Sequence, residues 1–232
     1  MNQESYLPSE ENQEITSAAR AKAFLNKVYM WMAVCMLLTA GVAAYSAQDL
    51  NTLLWVAEHR LLLCLGTLGI VVIMSFCASR LSAGALAVLL LTFAGVQGIL
   101  FGPILISYGL QSVGKAFGIT AIMFGSMSIY GMVTKRDLST WGRALLMMLI
   151  GLLVSLIVNI FWQNSVYNFI TGCAGVVIFS LFTAYDTQNL LKIGLSNDAT
   201  IKSKAAILGA LDLYLDFINL FISLLRLFGR DE

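Results

Sequence analysis

Runs of about 20 nearly uncharged residues follow one another along this chain, separated by short polar connections. Each run has the length of a bilayer crossing, because a helix needs about 20 mostly apolar residues to traverse a hydrocarbon core of about 30 Å. Backbone N–H and C=O groups cannot be left unpaired in lipid, which restricts the chain to helices or a closed barrel. The runs are long and lack the alternation of a strand, so helices follow. Composition agrees. Of the 232 residues, 59% are hydrophobic and 12% charged, against about 25% charged in an ordinary soluble domain. A buried core does not explain so large a deficit.

The pattern predicts spans over 28–47, 61–79, 83–107, 113–134, 143–162, 166–190 and 205–228, with a kink at Pro103 in the third. Residues 1–27 read as a polar segment with an interfacial stretch leading into the membrane, and 28–230 as a seven-span domain. The start is acidic (Glu4, Glu10, Glu11, Glu14), which is not the basic start of a cleavable signal. Alternate loops divide the 14 basic residues as 10 against 4, the larger share lying with Arg20, Arg80, Lys135, Arg136 and Lys192. The positive-inside rule then puts the N-terminus in the cytoplasm. An odd number of spans puts the C-terminus on the other side, unless the last segment is re-entrant.

Several function classes lose support. A net charge of +1 gives no footing for nucleic acid. Cys35, Cys64, Cys77 and Cys173 lie inside apolar runs without a CxxC pair, and read as small hydrophobes. His59 is the only histidine and reads as a solvated loop residue, leaving a Ser-His-Asp triad or a His-rich metal site little to build on. The segment from Gly109 to Ala116 opens like a phosphate-binding loop, but it ends in Ala116 where Ser or Thr is needed, and no strand precedes it. Ala94, Gly98 and Gly102 form a row of small residues suited to close helix packing.

The last span is the most informative. Asp212, Asp216, Asn219 and Ser223 are spaced 4, 3 and 4 apart, which gathers them into one narrow stripe. A polar stripe on a membrane helix faces the bundle interior or a water-filled cavity. Asp216 lies about 11 residues into its span, roughly 16 Å deep by helical rise. A carboxylate at such depth is costly unless protonated, paired or hydrated. Asp186 sits near the cytoplasmic end of the preceding span, beside Tyr185 and ahead of Thr187 and Gln188. Because the two spans are consecutive and antiparallel, Asp186 can approach Asp216 or Asp212. Close carboxylates resist double ionisation and titrate as a unit. A structural helix–helix contact, or a solvated Asp186, fits the residues as well.

The segment LYLDFINLFISLLRLFG resembles the C-terminal signature of the Bax inhibitor-1 family, and AYDTQ and FLNKVYMWM are similar to its bacterial branch. The resemblance runs from about residue 20 to the end. It implies an all-α integral membrane fold, with seven transmembrane helices in two three-helix layers around a central C-terminal helix. It also implies a pH-sensitive Ca2+ leak in a bacterial inner membrane, in which Asp186 and Asp216 form a proton-sensing pair. Asp212 lies outside that pair, as an extra ligand or a modifier of its titration. An arginine near the end of the second span takes part in the family, and Arg80 is its nearest counterpart across a one-residue gap. Animal members carry a lysine-rich tail, whereas this chain ends GRDE.

Ca2+ takes 6–8 oxygen ligands. Asp186 and Asp216, with Asp212, Asn219 and backbone carbonyls, supply only a few, which suits transient passage rather than storage. The partners expected are therefore the bilayer, Ca2+ and protons, with no cofactor and no nucleotide. A different class remains open: a non-transporting regulator that binds an inner-membrane protease, engaged through the polar N-terminal segment. An intramembrane aspartyl protease is disfavoured, since its GxGD motif is absent.

Overall fold

In a computed structural model of the chain, residues 10–162, 165–195 and 199–228 are described. They form helices α1 (Glu10–Ser46), α2 (Leu50–Phe76), α3 (Ala83–Val133), α4 (Gly142–Trp162), α5 (Ser165–Gly194) and α6 (Ala199–Phe228), with a 3-10 turn at Leu138–Trp141 before α4. Among the described residues there is no strand. Among the described residues six helices are long and apolar enough to cross a membrane.

Local chemistry explains several boundaries. The Asp49 carboxylate caps α2, accepting from the Thr52 hydroxyl at 2.6 Å and from the backbone N–H groups of Thr52 and Asn51. Those bonds, the Thr52 side chain foremost, hold its carboxyl below the usual carboxylate range. The cap sets the start of α2 at Leu50, not 61, and so His59 sits on a helix. Its Nδ1 lies 3.0 Å from the Trp55 carbonyl and its ring stacks on Trp55, which corrects the loop expected there. Ser82 caps α3 through Ala85 N–H. Helix α1 starts at Glu10, well before the first expected span at 28. Its Ala, Arg, Lys and Leu residues are good helix formers, and Ala21, Phe24, Leu25 and Val28 are buried. The polar segment therefore enters the bundle as continuous helix, without a break at residue 27.

Helix α3 has 51 residues, and as one straight rod it would run about 76 Å, more than twice the hydrocarbon thickness. It is not straight. Gly109 has φ 71° and ψ 152°, a conformation closed to residues with a Cβ. The break falls between the expected third and fourth spans, and Pro103 stays within the helical run. Residues 110–116 are helical, so the phosphate-loop-like segment is no loop. The small-residue row packs as expected. A Cβ on Gly98 would meet the Thr39 carbonyl of α1 at 2.8 Å, and one on Gly102 would strike the Ser46 hydroxyl. The Thr39 hydroxyl donates to the Ala94 carbonyl at 2.9 Å.

Burial ranks the helices. Of the most apolar window of α6, 67% is buried, against 11% for α2 and α4, so α2 and α4 turn most of their surface outward. Helix α6 packs on α1, α3 and α5. Tyr214 is fully buried, with its hydroxyl 2.8 Å from that of Thr39 and its ring edge-on to Phe93. A helix buried on nearly all sides is apolar all round, which makes its carboxylates the exceptions to explain.

Candidate functional site: the contact between α5 and α6

The site is built on residues 184–194 of α5, a stretch tied to a neighbour at almost every turn. A Cβ on Gly131 of α3 would collide with the Ala184 carbonyl oxygen, so α3 and α5 touch backbone to backbone. Thr187 reaches Ser128 of α3 at 3.5 Å. Leu190 fills the space over Gly209 of α6, and Gly194 lies against Ala21 of α1. Tyr185 is half-buried; its hydroxyl end covers Gly142 at the start of α4 and its ring meets Phe182 edge-on.

Within that frame the structure brings Asp186 and Asp216 together, their carboxyl groups within hydrogen-bond reach. Asp216 is buried at 5% exposure, and among the described residues no donor reaches its Oδ2. Asp186 is half-buried. Asp212, one turn before Asp216, is exposed but close enough to repel both carboxylates. The rest of the expected stripe makes local bonds. Asn219 Nδ2 donates to the Leu215 carbonyl at 2.8 Å, and the Ser223 hydroxyl to the Asn219 carbonyl at 2.7 Å. Neither offers that group to the pair. Arg80 is exposed on the turn after α2, and among the described residues it makes no ion pair. Lys204 of α6 instead binds that turn, donating to the carbonyls of Ala78 and Ser79 at 3.3 Å each. Among the described residues no three His, Cys, Asp or Glu side chains gather closely enough to hold a metal ion.

Two groups that the sequence reading passed over fix the end of α5. Gln188 is buried, and its amide closes a two-point clamp on the α3–α4 loop: Oε1 accepts from Leu138 N–H and Nε2 donates to the Arg136 carbonyl, both at 2.8 Å. Gln188→Ala leaves the buried Leu138 N–H without its acceptor, so a stability loss of about 1–3 kcal/mol is expected. A lowered thermal midpoint of the purified chain measures it; an unchanged midpoint rejects the clamp. One turn on, Lys192 Nζ pairs with Asp137 at 2.6 Å and donates to the Ser139 hydroxyl at 2.7 Å.

The Asp137 carboxyl is held well below the usual carboxylate range, first by the Lys192 hydrogen bond and then by Ser139. A depressed carboxylate contributes stability above its unfolded value and loses it as pH falls through the folded one. The pair therefore stays intact through neutral and mildly acidic pH. Asp137→Asn should accordingly leave the pH midpoint of any transition near neutrality where it was, which an activity or fluorescence titration checks.

Buried helices around a carboxylate pair define a class: a polytopic helical membrane protein with titratable groups inside its bundle. The family described as inhibitor of apoptosis-promoting Bax1 matches residues 21–232. The chain is 40% identical to the inner membrane protein YbhL of Escherichia coli over 218 residues, 91% of this chain and 93% of that one. It is 40% identical to an uncharacterized protein of Deinococcus radiodurans over 209 residues, 90% of each chain, and 36% identical to one of Borreliella burgdorferi over 228 residues, 96% of this chain and 97% of that one. The chain belongs to the Bax inhibitor-1 family of integral membrane proteins.

Proposed function

We propose that the protein is a pH-sensitive cation leak of a bacterial inner membrane, passing Ca2+, with Asp186 and Asp216 as its proton-controlled gate. The observation that carries this reading is the contact of the two carboxyl groups between α5 and α6, with Asp216 buried and its second oxygen unpaired. A carboxyl–carboxyl hydrogen bond needs a proton on one partner. While that proton is held, the contact ties α5 to α6. When both groups ionise, two negative charges face each other with Asp212 beside them, and repulsion loosens the same seam. The inner-membrane location follows the name of the Escherichia coli relative.

In this reading α3 crosses the membrane twice, divided at the Gly109 break, which would bring the crossings to seven. A pair of carboxylates, with no third acidic or imidazole ligand gathered beside it among the described residues, suits an ion that keeps most of its water and passes on. In this reading Ca2+ is cargo and no cofactor is needed. The N-terminus lies in the cytoplasm, with the Asp186 end of α5 and the loop bearing Lys135 and Arg136 on the same side.

The test is Ca2+ entry into sealed liposomes holding the purified chain, scanned from about pH 5 to 9. A flux with a pH step that empty liposomes lack supports the reading. Flux equal to that of empty liposomes at every pH ends it, and leaves binding to a membrane partner as the function to pursue.

A further inference from the structure

A cavity of about 480 Å³ opens beside the Gln188 clamp, between the α3–α4 loop, the end of α5 and Ala21 of α1. The loop joins two membrane-crossing helices, so the cavity sits at a membrane surface whichever way the chain is oriented. Its walls are of two kinds. Lys135, Arg136 and Lys192 bring three cations, of which one is paired with Asp137. Lys135 and Arg136 are exposed, and among the described residues neither makes an ion pair. The lining also has an apolar part, from Ala21 of α1 and from Leu191 and Leu195 at the end of α5. The backbone that carries the free cations is fixed, because Gln188 holds the Arg136 carbonyl and the Leu138 N–H.

We propose that this cavity binds the headgroup of an anionic phospholipid. The phosphodiester meets Lys135 and Arg136, a guanidinium being well matched to paired phosphate oxygens. The glycerol and first acyl carbons lie along the apolar wall. Among the described residues that line the cavity, Asp137 is the one carboxylate, and Lys192 neutralises it. Free phosphate would use the cations but would leave the apolar wall without a role, which favours the lipid. The site is independent of ion passage: none of Asp186, Asp212 or Asp216 lines it.

The experiment is native mass spectrometry of the purified full chain, titrated with phosphatidylglycerol and with phosphatidylcholine of the same acyl chains, and with inorganic phosphate as competitor. Phosphatidylglycerol is expected to bind in preference. A surface charge contributes about 1 kcal/mol toward anionic lipid, so K135Q/R136Q should weaken phosphatidylglycerol binding by about 30-fold and leave phosphatidylcholine binding as it was. Both positions are exposed, so the fold does not depend on them. Arg143→Gln removes an exposed charge outside the cavity, next to the same loop, and should not reproduce the loss. The proposal is overturned if K135Q/R136Q keeps the lipid preference or if Arg143→Gln abolishes it equally. It is also overturned if inorganic phosphate displaces the lipid at equal concentration, since the ligand would then be the free anion.

Discussion

Ca2+ flux through the Asp216→Asn variant is expected to vary little with pH, at the level that wild-type protein reaches on the acid side of its step. Asparagine is nearly isosteric with a protonated aspartic acid, and its amide can still donate to Asp186. The seam between α5 and α6 is then tied at every pH. A one-proton step in the wild type can change the population of a state by up to about tenfold per pH unit, so the contrast is large. The residual variation in the variant should stay within about twofold across pH 5 to 9, because Asp186 then has no carboxyl partner to share a proton with. Asp186→Asn should behave alike, since either change removes the pair. Asp212 faces both groups from one turn away on α6, without contacting either. Its substitution by asparagine should move the step without removing it. Liposome flux at matched protein density separates these results. A full wild-type step in Asp216→Asn would show that the proton-controlled element lies elsewhere.

The aspartates were legible from spacing alone, but their different roles were not. Asp212 and Asp216 are about 40° apart around the helix axis. A stripe of that width covers both a buried seam and its open edge, and a sequence cannot say where the neighbouring helix ends. Asn219 and Ser223 of the stripe each bond their own backbone one turn back, as short polar side chains on a membrane helix often do, and spacing alone does not reveal this. The crossing helices were legible wherever apolar residues ran unbroken. Their ends were not: α1 begins with polar residues that favour helix, and α2 starts at the Asp49 cap, well ahead of its longest apolar run. The gap between the third and fourth runs was legible, but not that a single residue, Gly109, makes the break while the rest stays helical. Gln188 was invisible as a clamp because its partners lie about 50 residues away, in a loop whose position only the fold defines.

Gly131→Ala is the smallest change expected to disrupt the site from outside it. A Cβ at that position would run into the Ala184 carbonyl oxygen, with the Ala184 carbonyl carbon and Cα each at 3.1 Å. All three are backbone atoms of α5, so no rotamer change relieves the contact and the helices must part. Overpacking of this kind costs about 1–3 kcal/mol, and a rigid neighbour places the variant toward the upper end. Gly125 on the same helix is the control. A Cβ there meets nothing within 4 Å, and Gly→Ala inside a helix gains up to about 1 kcal/mol. The two substitutions are chemically identical but should shift the thermal midpoint of the purified chain in opposite directions. Helix propensity alone would raise both, so a stabilised Gly131→Ala protein would refute the close approach of α3 and α5. The damage should also reach the carboxylate pair. Ala184 lies two residues before Asp186 on the same rigid helix, and Thr187 holds to Ser128 of α3 on the far side of it. Pushing α3 off α5 shifts Asp186 against Asp216, so the pH step in flux should move in Gly131→Ala and stay in place in Gly125→Ala.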